Sequence, residues 1–218
     1  MLNPWLDLPF DVPYLLPIDR ESLSRLTGHS RQSINLESIP EPFIGNPETA
    51  TVLLLNLNPG DSPDDSQSHA NPAFREALLC NLRHAQQDYP FYALNPEFRW
   101  TACAKWWTTR LRQLLKHPAL ERQKIARLLC VIEWFPYHSK VASLPRTMVC
   151  PSQQYCFDIV RKAIGSKKVI IGMRARKRWA DVDARLGEVP YLKNPRSPYI
   201  TPCNAAESLF SQIVEALK

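Results

Sequence analysis

Three short stretches of this 218-residue chain combine polar side chains with a stiff backbone in a way that suits chemistry at a bound ligand: Asn58-Pro59-Gly60-Asp61, Glu133-Trp134-Phe135-Pro136-Tyr137-His138 and Asn194-Pro195-Arg196-Ser197-Pro198. Proline fixes φ and with it the aim of the preceding amide, while Gly60 lets a ligand approach the backbone with no Cβ in the way. An asparagine amide orients what it binds but cannot take a proton. Glu133 closes an apolar strand, and a charged residue there is rarely buried without a partner, so it is a site residue or a salt-bridge member.

Simpler readings stand beside these. Six of the ten asparagines (3, 46, 58, 71, 95 and 194) precede proline, so most must be turn formers. Phe74 serves equally well as a core anchor. His138-Ser139 lacks a third member for nucleophilic catalysis, and His69 reads as a loop histidine. Asp61, Asp64 and Asp65 lie in a Ser/Pro loop where turn chemistry is more common than a divalent-metal site. Trp100, Trp106 and Trp107 read as packing residues.

The elements that must position these residues alternate strand and helix. Thr51–Leu57, Leu128–Trp134, Lys168–Ile171 and Val189–Leu192 read as buried strands. Asn71-Pro72 reads as an N-cap and N1 proline opening a helix to about Gln87. Further helices are predicted at Ala102–Lys116, Pro118–Arg127, Pro151–Ile164 and Met173–Leu186, and Asn204-Ala-Ala-Glu207 as a capping box for a last one. A loop runs through Pro136 and Pro145. The pattern predicts an α/β fold: a central four-stranded parallel sheet between helices, three layers in all. Residues 1–48, with seven prolines and one short helix near Ser22–Thr27, read as an extended arm packed on a single domain of residues 49–218. Ligands of open parallel sheets bind at the carboxyl ends of the strands, where the two Asn-Pro turns would face each other.

At these positions the chain resembles the uracil-DNA glycosylase superfamily. Leu57-Asn58-Pro59-Gly60 is similar to its x-N-P-G first motif, in the form of the mismatch-specific and single-strand-selective branches. His69-Ala70-Asn71-Pro72-Ala73-Phe74 is similar to the segment carrying an aromatic residue that stacks on the flipped base. Asn194-Pro195-Arg196-Ser197-Pro198 resembles the second motif, which begins with Asn in the mismatch-specific branch. The resemblance covers roughly residues 51–200.

The resemblance implies a monofunctional DNA glycosylase that cleaves the N-glycosidic bond of a deaminated or damaged base through an oxocarbenium-like state. Asn58 would orient the attacking water and Asn194 would donate to the departing carbonyl oxygen. Gly60, Phe74 and either Glu133 or Cys130 would contact the base. Arg196, Ser197 and Tyr199 would enter the duplex, and Arg174, Arg176, Lys177 and Arg178 would grip phosphates. Two departures qualify it. Asn56 stands where the first motif usually opens with glycine, crowding the strand exit. The second strand offers Cys130 or Glu133 where uracil-specific members place asparagine, and a carboxylate acceptor suits an exocyclic amine better than uracil. No cysteine precedes Cys80, so the iron–sulfur cluster of some branches is not expected, nor is any metal or other cofactor.

Composition narrows the alternatives. Twenty prolines against six glycines leave no G-x-G-x-x-G, no phosphate loop and no G-x-S-x-G elbow. The apolar runs Val52–Leu55 and Leu128–Ile132 fall far short of the roughly 20 residues of a membrane span, and Asp7 and Asp11 do not suit a signal peptide. Six cysteines without a C-x-x-C pair read as reduced thiols of a cytoplasmic protein, expected to be a monomer. The net charge of +6 is local: Arg161–Arg178 holds eight basic and no acidic residues, a footprint for phosphate-rich partners, DNA foremost. A non-catalytic nucleic-acid-binding or nucleotide-binding protein of the same fold, or an α/β enzyme acting on a small metabolite, are the rival functions.

Overall fold

A computed structural model describes residues 2–26, 34–139, 147 and 150–218. The predicted Thr27 and Pro145 positions lie outside these.

A four-stranded mixed sheet forms the centre. Its strands are β2 (Phe43–Ile44), β3 (Val52–Leu55), β4 (Leu129–Ile132) and β6 (Val169–Gly172), in the order β2-β4-β3-β6. β3 runs parallel to both β4 and β6, and β2 runs antiparallel to β4. Every residue of β2, β3 and β4 is buried, which is why these strands read as continuous apolar runs without alternation. A second sheet pairs β1 (Ile34–Asn35) with β5 (His138–Ser139).

The expected all-parallel sheet is corrected in its fourth strand. Val189–Leu192 makes only one isolated parallel bridge, Gly172 to Tyr191. Gly172 N–H donates to Pro190 O and Leu192 N–H donates to Gly172 O. Pro190 has no N–H to extend the ladder, and Lys193 N–H turns away to Asn204 O. The fourth strand is β2, from the segment predicted to be a packed arm. Gly45 ends it at φ +105°, with a backbone so close that a Cβ would lie 2.4 Å from Leu129 O.

Helices among the described residues are α1 (Arg20–Ser24), α2 (Asp65–Ala70), α3 (Pro72–Leu82), α4 (Ala102–Arg110), α5 (Arg112–Leu115), α6 (Arg122–Leu128), α7 (Gln153–Ile164), α8 (Arg176–Val182), α9 (Pro202–Ala205) and α10 (Glu207–Ala216). Asn71 caps α3 as predicted, its side chain accepting from Phe74 N–H. The predicted cap of the last helix is corrected. Thr201 caps α9, Ala206 at φ 70° breaks the chain before α10, and Asn204 instead braces the 194–199 loop. One apolar core runs from Trp5 and Leu16 through the sheet to Leu217. No helix among the described residues is long and apolar enough to cross a membrane.

Candidate functional site

The sheet register decides where polar residues gather. Leu55 pairs with Ile132 on one side and Gly172 on the other, so Asn56, Glu133 and Met173 leave the sheet at one level. β4 and β6 flank β3 on opposite sides and their loops part there, the crevice that open α/β sheets use for ligands. A cavity of about 440 Å3 lies at this point. The turn from Asn56 to Ser62 lines it together with Glu133, His138, Ser139 and Arg174. Cys103, Trp106 and Trp107 come from α4, Asp65 from α2, and Glu41 from the segment before β2.

Asn58 differs from the other asparagines that precede proline. Asn3, Asn71 and Asn95 cap helices through their side-chain oxygens. Asn46 accepts from Glu48 N–H, and Asn194 from Arg196 and Ser197 N–H. Asn3 also sends its amide nitrogen across the fold, to Leu82 O, but Asn58 is the one whose oxygen caps no turn: it donates to Pro59 O at 2.8 Å and to Ser139 Oγ at 2.7 Å. Its Oδ1 accepts no hydrogen bond among the described residues, and Asn58 lines the cavity. Five asparagines stabilise their own turns; Asn58 is held by another strand and presents an acceptor.

Beneath it, Asn56 Nδ2 donates to Glu133 Oε1 at 2.9 Å, while Trp179 Nε1 donates to Asn56 O at 2.8 Å. Asn56 therefore does not merely crowd the strand exit. Burial pushes the Glu133 carboxyl up to about 8, nearby Glu41 adds to the rise, and the Asn56 hydrogen bond and Arg174 oppose it. With its carboxyl raised to about 8, Glu133 can donate as well as accept at neutral pH. Glu133 Oε2 and Asn56 Oδ1 are buried without partners in this geometry.

A histidine–carboxylate cluster closes one wall. His138 places Nδ1 2.6 Å from Gly60 O and Nε2 3.1 Å from Ile39 O, with Asp65 Oδ2 3.7 Å from Nδ1. Both ring nitrogens face carbonyl oxygens. His69 Nδ1 accepts from Ile39 N–H at 2.9 Å. Burial, the neighbouring His138 and Arg75 hold His69 well below the ordinary histidine range, so it is neutral with its proton on Nε2. That nitrogen faces Glu41 Oε1 at 4.0 Å. Burial also raises Glu41.

Glu41, His69 and His138 bring one ligand atom each within 4.8 Å of one another, the spacing of a metal centre. Their hydrogen bonds argue otherwise. A metal-bound histidine donates through its other nitrogen, whereas His69 accepts there and His138 meets a carbonyl at each nitrogen. Cys103 is no thiolate nucleophile, since burial pushes its thiol well up.

Of the residues singled out in the sequence, Asn58, Gly60, Glu133 and Arg174 meet at the cavity. Phe74 does not: it is fully buried in an edge-on cluster with Phe98 at 5.1 Å and Tyr92 at 5.7 Å. Cys130 is buried within β4, two residue pairs short of the strand end. Asn194, Arg196 and Ser197 lie on an exposed loop beside the cavity, with the Asn194 oxygen spent on its own turn. Tyr199 stands on the same loop against Arg110. The basic run divides: Arg176 donates to Gly187 O at 2.8 Å, Arg178 lies over the Trp134 ring, and Lys177 is exposed. Glu41, Asn56, Asp65, His138 and Trp106 were not read from the sequence as ligand-facing residues. Asn56 and His138 had a signal, since each lies within or beside a strand-end turn; Glu41 had none, because its strand pairs antiparallel from a proline-rich segment.

Against protein-family models, curated proteins and solved structures, this chain finds no match.

Proposed function

We propose that this protein hydrolyses the N-glycosidic bond of a deaminated or damaged base in DNA, on a three-layer glycosylase-like α/β/α fold. The observation that carries the reading is Asn58: alone among six Asn-Pro turns, it lines a nucleotide-sized cavity at the ends of parallel strands with its side-chain oxygen not spent on a hydrogen bond among the described residues. Asn58 Oδ1 accepts an O–H of the attacking water and aims its oxygen at the sugar carbon. The carbon–nitrogen bond breaks with its electron pair passing to the base. Glu133, neutral at pH 7, supplies the base with a proton and regains one from the attacking water through solvent. Its Oε2 is covered, so the side chain turns from Asn56 as the base enters. Gly60 leaves room beside the sugar.

The test is a panel of single- and double-stranded oligonucleotides carrying uracil, hypoxanthine or xanthine, scored for abasic sites. Wild type forms product on at least one, and Asn58→Ala lowers the rate by about 100-fold or more. No product on any of them sinks the reading. A second reading, a non-catalytic nucleic-acid-binding protein, is favoured by the absence of Asn194 and Phe74 from the cavity. Salt-dependent retention of the same oligonucleotides without product supports that alternative.

A further inference from the structure

Two arginines converge on one indole ring at the edge of the cavity. Trp106 and Arg110 are four residues apart on α4 and share a helix face, with the Arg110 Cζ 4.5 Å from the Trp106 ring centre. Arg174, arriving from the end of β6, places its Cζ 5.9 Å from the same ring. The Arg110 Cζ is also 5.1 Å from the Tyr199 ring centre, and Arg174 Nε donates to Pro195 O at 3.1 Å. The two guanidiniums are thereby held by aromatic rings and a backbone carbonyl.

Neither has a counter-charge in contact among the described residues. Among the described residues, no carboxylate forms an ion pair with Arg110 or Arg174. Arg110 Nε is buried without a hydrogen-bond partner. Arg174 is held below the usual arginine range, chiefly by burial and further by Arg110, with Glu133 opposing. Two like charges brought together and partly desolvated cost free energy that a bound anion returns. The planar fork of donors matches phosphate oxygens.

We infer that Arg110 and Arg174, set about Trp106, form a phosphate subsite that seats the phosphate next to the nucleotide in the cavity. This rests on reading the cavity as a nucleotide site but not on bond cleavage. It assigns the phosphate contact to one arginine of the basic run and one from α4, in place of Arg174–Arg178 as a block.

The test is fluorescence anisotropy of a 5′-labelled 12-residue oligothymidylate over a salt series, with inorganic phosphate as competitor. Arg110→Gln and Arg174→Gln each weaken binding about fivefold at low salt and reduce the salt slope by about 0.7, one single-strand phosphate contact apiece. Arg110→Lys keeps the slope, and Arg185→Gln, an exposed control, matches wild type. Competition by inorganic phosphate shows that a free phosphate suffices; weakened variants without such competition show that the subsite takes a phosphodiester within a chain. Wild-type affinity and slope in both glutamine variants overturn the inference, as does failure of the wild type to bind oligonucleotide or phosphate. Near-ultraviolet circular dichroism verifies folding, and Arg174→Gln decides the matter if Arg110→Gln does not fold. Binding that follows this pattern with no abasic product removes the hydrolase reading and leaves the subsite standing.

Discussion

Asn56 Nδ2 donates to Glu133 Oε1 across 2.9 Å, tying the turn after β3 to the end of β4 beneath the cavity. An amide beside a buried carboxyl keeps that carboxyl near the point of ionisation, and pH becomes a probe of the cavity floor.

The Glu133 carboxyl holds its proton up to about 8 in the folded protein against an ordinary value of 4.5. Its contribution to stability is therefore complete below about 4.5 and is lost as pH rises toward about 8, by up to about 1.4 kcal/mol per pH unit. Glu133→Gln keeps the shape and the acceptor for Asn56 but does not titrate. Chemical denaturation from pH 5 to 9 is expected to show the variant gaining on wild type until about pH 8 and then holding its lead. Parallel curves would contradict the assignment.

His69 works in the opposite direction. Its folded ring resists protonation below the ordinary 6.5, so the stability it contributes is present above that value and is lost as pH falls beneath it. His69→Gln loses contact with Phe74 and His138 and is less stable at pH 7.5, yet its denaturation midpoint falls less than that of wild type between pH 6.5 and 5. Equal acid slopes in the two proteins would exclude His69 as the source.

Ser139 holds Asn58 through a 2.7 Å hydrogen bond and acts as a positioning residue. Ser139→Ala is expected to cost about 1 kcal/mol of stability and to lower kcat for abasic-site formation about tenfold with KM unchanged. Ser139→Thr, which keeps the hydroxyl, restores most of the rate. A rise in KM alone would place Ser139 in substrate binding.

Gly172 has no room for a side chain: a Cβ there would lie 1.9 Å from Tyr191 Cε1. Gly172→Ala is expected to destabilise by about 1–3 kcal/mol, and the double variant Gly172→Ala with Tyr191→Ala to recover part of the loss. Thermal denaturation of the four proteins forms the cycle. Strict additivity would mean that the ring and the glycine do not meet.

The three parallel strands were legible because each is an apolar run followed within two residues by a polar side chain, and the register then delivers Asn58, Glu133 and Arg174 to one crevice. What the sequence hid had physical causes. Val189–Leu192 looks like a strand, but Pro190 lacks the donor for a ladder. Phe74 looks like a stacking residue, but it lies with Leu78 and Leu82 on the face of α3 turned to the core. Asn194 has the same Asn-Pro pattern as Asn58, and only the hydrogen bonds separate a side chain spent on its own turn from one held open by Ser139. Glu41 arrives by an antiparallel pairing that no local pattern announces.

The polypeptide around Ile39 meets both buried rings, giving its N–H to His69 and its carbonyl oxygen to His138. The main chain at Ile39 is therefore shared between the rings: its N–H needs an unprotonated Nδ1 on His69, and its carbonyl oxygen takes up one nitrogen of His138. Glu41 follows two residues later and lines the cavity. The N-terminal segment thus joins two buried rings and the binding space through three consecutive residues of main chain.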